Sequence, residues 1–264
     1  MADLTEQPLN VTALPALGDN YIWLIDNGTY AAVIDPGDAA VVITELQKRA
    51  LSLSAILLTH RHDDHISGVP RLVTEYDSPV YGPKNDDIPF VNHPLQEGDP
   101  LIINALNLSL AVLDVPGHTR GHIAYYDRMR KWLFCGDMLF GAGCGRILEG
   151  TPEMMIASLA KFTALPDETQ VFAAHEYTLA NLKFALEIEP DNPDILKRVQ
   201  ADSAKRERKQ PTLPSTIGLE KKTNPFLRNR EPDVLEHLLS LGLIKSKNAE
   251  DAFAAMREWK NVYR

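Results

Sequence analysis

Cysteine is almost missing from this chain: Cys135 and Cys144 are the only two in 264 residues. Two cysteines cannot build a disulfide framework, so the fold must rest on a packed core, and the expected setting is a reducing, cytoplasmic compartment. No run of about 18 apolar residues occurs, which argues against a transmembrane helix. The opening Met-Ala-Asp-Leu-Thr-Glu-Gln also lacks the basic and apolar regions of a secretory signal, so no membrane partner is expected. Positive charge is in deficit, with 27 Lys and Arg against 36 Asp and Glu and a net charge of −9. That balance speaks against a broad nucleic-acid surface, while leaving room for a local basic pocket facing an anionic small molecule. Repeats and low-complexity tracts do not stand out. What the chain does have is 44% apolar residues, enough for a sizeable core in one large or two smaller domains.

The apolar pattern changes along the chain. Val11 to Ala16, Tyr21 to Asp26 and Tyr30 to Ile34 read as strands, and Asp38 to Ala50 reads as an amphipathic helix. Further strands are expected at 54–58, near 101–113, and at 123–126, 131–135 and 169–174. They surround a helix that Thr151 caps, with Pro152 in its first turn. Beyond residue 175 helices take over, at 177–188, 193–209, 232–240 and 249–262, with Asn192-Pro193 and Asn248 as start signals. The expected division is therefore residues 1–175 and 176–264.

The chemistry concentrates in Thr59-His60-Arg61-His62-Asp63-Asp64-His65, behind the strand-like Ser54 to Leu58. If strand geometry persists, His60 and His62 project to one side, while Asp64 and His65 sit on the following turn. One short segment can then serve two neighbouring metal ions. Three more donors each follow an apolar run: His118 in the turn-rich Pro116 to His122, Asp137 after Gly136, and His175 after Ala174. Singly, each has a plain reading as a turn or cap residue. Together they complete a set of seven.

Thr-His-x-His-x-Asp-His at 59–65 resembles the signature of the metallo-β-lactamase superfamily, and within it the chain is similar to the hydroxyacylglutathione hydrolase (glyoxalase II) family. The likeness continues through Pro-Gly-His-Thr-x-Gly-His at 116–122, Gly-Asp-Met-Leu-Phe at 136–140 and Gly-Cys-Gly-Arg at 143–146. It extends to Ala-His-Glu-Tyr-Thr at 174–178 and Asn-Pro-Phe-Leu-Arg at 224–228. This resemblance implies an α/β fold, the four-layer αββα sandwich, followed by a smaller helical substrate-binding domain. It implies that His60, His62 and His118 bind a first divalent ion, that Asp64, His65 and His175 bind a second, and that Asp137 bridges them.

Imidazole and carboxylate donors suit Zn²⁺, Fe or Mn²⁺. A shared hydroxide would attack a thioester carbonyl, with Asp64 also placed to orient it, and the thiolate leaves readily because a thiol pKa lies near 8.5. The implied substrate is S-D-lactoylglutathione, handled by a monomer. Tyr177 would donate its hydroxyl to the peptide, and Arg146 and Arg228 would pair with its glycine carboxylate. Animal members carry Lys-Phe-Tyr where this chain has Arg146-Ile147-Leu148, so one tyrosine contact is missing.

Two other readings stand beside this one. A mononuclear-iron persulfide dioxygenase of the same superfamily would share the histidine signature, but would need neither the full second metal site nor the C-terminal motifs. A structural metal clip would more commonly use cysteine. Lys205 to Lys209 reads as a solvated helix end, Lys221-Lys222 as extra positive potential or plain surface, and His93 and His237 as surface or packing residues.

Overall fold

The computed structural model describes residues 8–263. These residues part into two compact units, one comprising residues 8–114 and 119–136, the other residues 115–118 and 137–263.

The first unit holds a sheet in the order β1 (Asn10–Ala16), β2 (Asn20–Asp26), β3 (Tyr30–Ile34), β4 (Ser52–Leu57), β5 (Val80–Pro83) and β6 (His93–Leu95). The first three strands are antiparallel neighbours, and β3 to β6 run parallel. A parallel step needs a crossover, which α1 (Ala39–Arg49) supplies between β3 and β4. Asp38 caps α1 by accepting from Ala40 N at 2.8 Å, and Ala50 ends it in the left-handed region at φ 52°. Its Val42, Ile43 and Leu46 face the strands, each burial stabilising by about 1.5–3 kcal/mol. Arg49 then ties the helix to β2 through Asp26 Oδ2 at 2.6 Å.

Two short helices, α2 (Asp63–Ile66) and α3 (Val69–Tyr76), lead from β4 to β5. The same unit contains an antiparallel run β7 (Pro100–Ile103), β8 (Leu108–Asp114), β9 (Ile123–Asp127) and β10 (Trp132–Gly136). The strand pattern over 101–113 thus resolves into two strands. Tyr125 OH donates to Leu58 O at 2.7 Å and Ile123 N to Thr59 O at 2.9 Å, joining β9 to the end of β4.

The second unit opens with a small hairpin, β11 (Leu139–Phe140) and β12 (Gly143–Cys144), followed by α4 (Pro152–Thr163) and β13 (Gln170–Ala173). Then come α5 (Thr178–Ile188), α6 (Pro193–Glu207), β14 (Ser215–Thr216), α7 (Ile217–Thr223), α8 (Pro232–Ser240) and α9 (Ala249–Val262). Thr151, Asn192 and Asn248 accept from first-turn amides of α4, α6 and α9, as the sequence signals suggested. Ala142, Leu182, Ala185 and Ile195 form one core, and Phe184, Phe226, Phe253 and Trp259 pack edge and face in another. Because α4 packs on α7 and α9, and β13 pairs with β14, residues 137–175 belong with the helices by compactness. Among the described residues no helix is long and apolar enough to cross a membrane.

Candidate metal centre

The end of β4, Ala55 to Leu57, is apolar and buried, and burial continues through Leu58, Thr59 and His60 before the chain turns outward at Arg61. The exit is fixed by Asp35, a buried carboxylate just past β3. Its Oδ1 accepts from Thr59 N at 2.8 Å, and its Oδ2 accepts from Thr59 Oγ1 at 2.7 Å and lies 3.0 Å from His65 Nδ1. Asp35, His60 and His65 place potential ligand atoms within 4.8 Å of one another. With three bonds already accepted, however, Asp35 is better placed to orient His65 than to bind an ion itself.

A carboxylate only accepts, so His65 Nδ1 carries a proton, and Nε2, facing Asp64 Oδ2 at 3.5 Å, is the nitrogen left for a cation or a second proton. Asn20 holds that carboxylate by donating to Asp64 Oδ2 at 3.0 Å. His60 Nε2 and His62 Nδ1 lie 2.9 Å apart, although strand β4 ends at Leu57 and the strand geometry expected to set them side by side does not reach them.

In the second unit His118 Nδ1 lies 2.7 Å from Arg146 O, and since a carbonyl can only accept, Nδ1 carries the proton there too. His118 Nε2 faces Asp137 Oδ2 at 3.4 Å, while His175 Nε2 faces Asp137 Oδ1 at 3.3 Å. One carboxylate thus turns a separate oxygen to each of two imidazoles. Acceptors set face to face are tolerated only with positive charge on or between them, either an imidazolium proton or a cation. The donor set, nitrogen and carboxylate without thiolate, fits Zn²⁺, Fe or Mn²⁺.

Two glycines show how tightly this region is drawn. Gly136, at φ 51°, would push a Cβ to 2.3 Å from Thr59 Oγ1, and a Cβ on Gly145 would lie 1.9 Å from Asp137 O.

Tyr177 stacks on His175 at 4.8 Å with planes 4° apart, and Phe140 meets both rings edge-on. Arg146 is exposed. Arg228 is engaged elsewhere: Glu189 takes its Nε at 2.8 Å and NH2 at 2.9 Å, and Lys221 O accepts from NH1 at 3.3 Å. The Glu189 hydrogen bonds raise its pKa further above the ordinary guanidinium value. Substrate contact at Arg228 would require displacing Glu189.

Some residues gave no signal in the sequence. Asp35 looks like a turn former, and Asp86, which accepts from Arg61 N at 2.9 Å and Thr119 Oγ1 at 3.1 Å, looks like a loop charge. Nor does spacing reveal that positive charge gathers around Lys260. Burial, then repulsion from Arg257, Arg146 and Lys183, pushes the Lys260 ammonium pKa down. Crowded cations of this kind favour an anion.

Fold and donor chemistry together define a class. Residues 16–175 match the family described as the metallo-beta-lactamase superfamily. Similar solved structures include a B3 metallo-beta-lactamase, BLEG-1, with TM-score 0.60 and 26% identity over 83% of this chain and 99% of that one. ETHE1 from Myxococcus xanthus is similar too, with TM-score 0.64 and 25% identity over 95% of this chain and 98% of that one. Residues 176–263 match the hydroxyacylglutathione hydrolase C-terminus. The hydroxyacylglutathione hydrolase of Nitrosomonas europaea is 49% identical over 97% of both chains, and that of Vibrio parahaemolyticus is 49% identical over 97% of this chain and all of its own. The chain belongs to the hydroxyacylglutathione hydrolase family.

Proposed function

We propose that this protein is a metal-dependent thioesterase that hydrolyses S-(2-hydroxyacyl)glutathiones, S-D-lactoylglutathione foremost, to glutathione and a 2-hydroxy acid such as D-lactate. The observation that carries the reading is Asp137, whose two oxygens each face a histidine Nε2, as a carboxylate shared by two ions requires. In this reading His60, His62 and His118 hold one ion, Asp64, His65 and His175 the other, and Asp137 both. When bound, two divalent ions, Zn²⁺ foremost with Fe or Mn as alternatives, supply an acidified water and an electrophilic partner for the thioester oxygen.

The protein's own groups prepare that chemistry. Asp35 and the Arg146 carbonyl hold His65 and His118 in the ligating tautomer. Asn20 keeps Asp64 turned to orient the nucleophile. Tyr177, fixed by its stack on His175, offers a hydroxyl to the peptide of glutathione. Arg146, in the field that crowds Lys260, meets a glutathione carboxylate, and the leaving thiolate needs little protonation. A role for Arg228 requires exchanging Glu189 for the substrate. Residues 176–264 serve as the substrate-binding domain of a monomer, and two free cysteines fit a reducing cytoplasm.

The test combines metal analysis with thiol release from S-D-lactoylglutathione. Two ions per chain and stoichiometric glutathione are expected. A metal-loaded protein that consumes oxygen with glutathione persulfide yet releases no thiol from the thioester would replace this reading with the dioxygenase.

A further inference from the structure

The turn that leads into Arg146 is held mainly by side chains. Strands β11 and β12 pair only at Leu139 with Cys144 and Phe140 with Gly143. Further backbone groups of the turn are met by side chains from elsewhere in the second unit. Asn181 on α5 donates to Gly141 O at 3.1 Å, and Arg257 on α9 donates to Cys144 O at 2.8 Å. Asn224, just past α7, donates to Gly143 O at 2.9 Å and Phe140 O at 3.4 Å. Ala142 N donates to Glu220 Oε2 at 2.8 Å.

Glu220 is itself locked in place. It is fully buried, and its Oε1 accepts from Arg198 NH2 at 2.7 Å and from Ser215 Oγ. Arg198 also donates to Thr223 Oγ1 at 2.6 Å and to Asp202 Oδ2 at 3.3 Å. Burial works against the Arg198 charge, but Glu220 and Asp202 outweigh it and its pKa is raised. A buried ion pair is a poor source of stability compared with apolar packing of the same volume, and its best-attested use is to specify one conformation. Here the segment held is residues 140–144, the turn that leads directly into Gly145 and Arg146.

We infer that Glu220, Asn224 and Asn181 are positioning residues for substrate recognition: through the loop backbone they aim Arg146 at the glutathione carboxylate. This rests on the function proposed above, with Arg146 as the gripping residue. None of the three is a metal ligand or a substrate contact, and each acts only through backbone groups of the loop.

The test uses the metal-loaded full chain and two substrates, S-D-lactoylglutathione and the lactoyl thioester of mercaptoethanol, which lacks both glutathione carboxylates. The variants are Glu220→Gln and Asn181→Ala, the latter because its bond lies outside the buried ion pair and survives as a probe if Glu220→Gln fails to fold. For Asn181→Ala, loss of one neutral hydrogen bond predicts KM for lactoylglutathione raised about three- to tenfold, with kcat within about twofold. Activity on the small thioester should stay close to wild type. Amide exchange at Ala142 should accelerate in Glu220→Gln.

In an Arg146→Ala background the loop variants should add little further KM increase, a non-additivity that general destabilisation would not produce. Equal losses on both substrates, or a lowered melting temperature with wild-type KM, would overturn the inference while leaving the function standing. A wild-type protein inactive on lactoylglutathione would instead remove the function on which it rests.

Discussion

Replacing Asp35 by Asn changes one atom in the buried core and should be read out at the metal site. The wild-type carboxylate accepts from Thr59 N, Thr59 Oγ1 and His65 Nδ1. Asn can keep the Thr59 N bond through its carbonyl, but its amide then points a donor at the His65 Nδ1 proton. Relief requires the His65 proton to move to Nε2, the nitrogen that faces Asp64 and that the second ion would need. Losing such a supporting partner commonly weakens metal affinity about 10–100-fold, which corresponds to about 1.4–2.7 kcal/mol. Competition with a chelator of known affinity measures this directly. The second ion should be stripped at correspondingly lower chelator concentration, while the first stays bound. Far-UV circular dichroism should be unchanged, showing that the variant folds. Two ions bound with wild-type affinity in a folded Asp35→Asn protein would refute the tautomer argument.

Asp137→Ala should lower metal content and turnover together if, as proposed, one carboxylate serves both ions; full occupancy with wild-type turnover would remove it from the site. Arg146→Ala should raise KM for lactoylglutathione about ten- to a hundredfold, the value of one charged hydrogen bond, with a smaller effect on kcat and little on a thioester lacking glutathione. Arg228→Ala should chiefly lower the melting temperature, since it leaves the buried Glu189 without its bidentate partner, and a KM change confined to glutathione substrates would restore a recognition role. Lys260, its pKa held low first by burial and then by Arg257, Arg146 and Lys183, deprotonates at lower pH than an ordinary lysine. Attraction for the anionic substrate is therefore present below that folded pKa and fades above it, so KM should rise with pH earlier than in Lys260→Arg; identical pH profiles would dismiss its involvement.

The donor cluster was legible because its members are nearly consecutive and each outlying donor follows an apolar strand. Helices with strong caps were equally plain: Asp38, Thr151, Asn192 and Asn248 all accept from first-turn amides. Helix α7 escaped notice because its seven residues are too few to show a period, and β5 and β6 are four and three residues long. Asp35 and Glu220 were invisible for a different reason. Their partners lie 24 and 22 residues away for Thr59 and Arg198, and nothing local distinguishes a buried network carboxylate from a surface one. The gathering of Arg146, Lys183, Arg257 and Lys260 likewise depends on packing of α5, α9 and the hairpin loop.

The His118 imidazole leans on the carbonyl of Arg146, so under the proposed function the backbone at that position serves the metal site while its side chain is exposed. Evolution and the engineer are thereby offered an asymmetric choice. Side chains at 146 to 148 can be exchanged to retune which thioester is welcomed, because no ligand depends on their identity. Inserting or deleting a residue in the same stretch would shift the carbonyl, free the imidazole to turn, and extinguish the chemistry along with the preference. Diversification among relatives should therefore run through substitution at these positions and avoid changes in loop length.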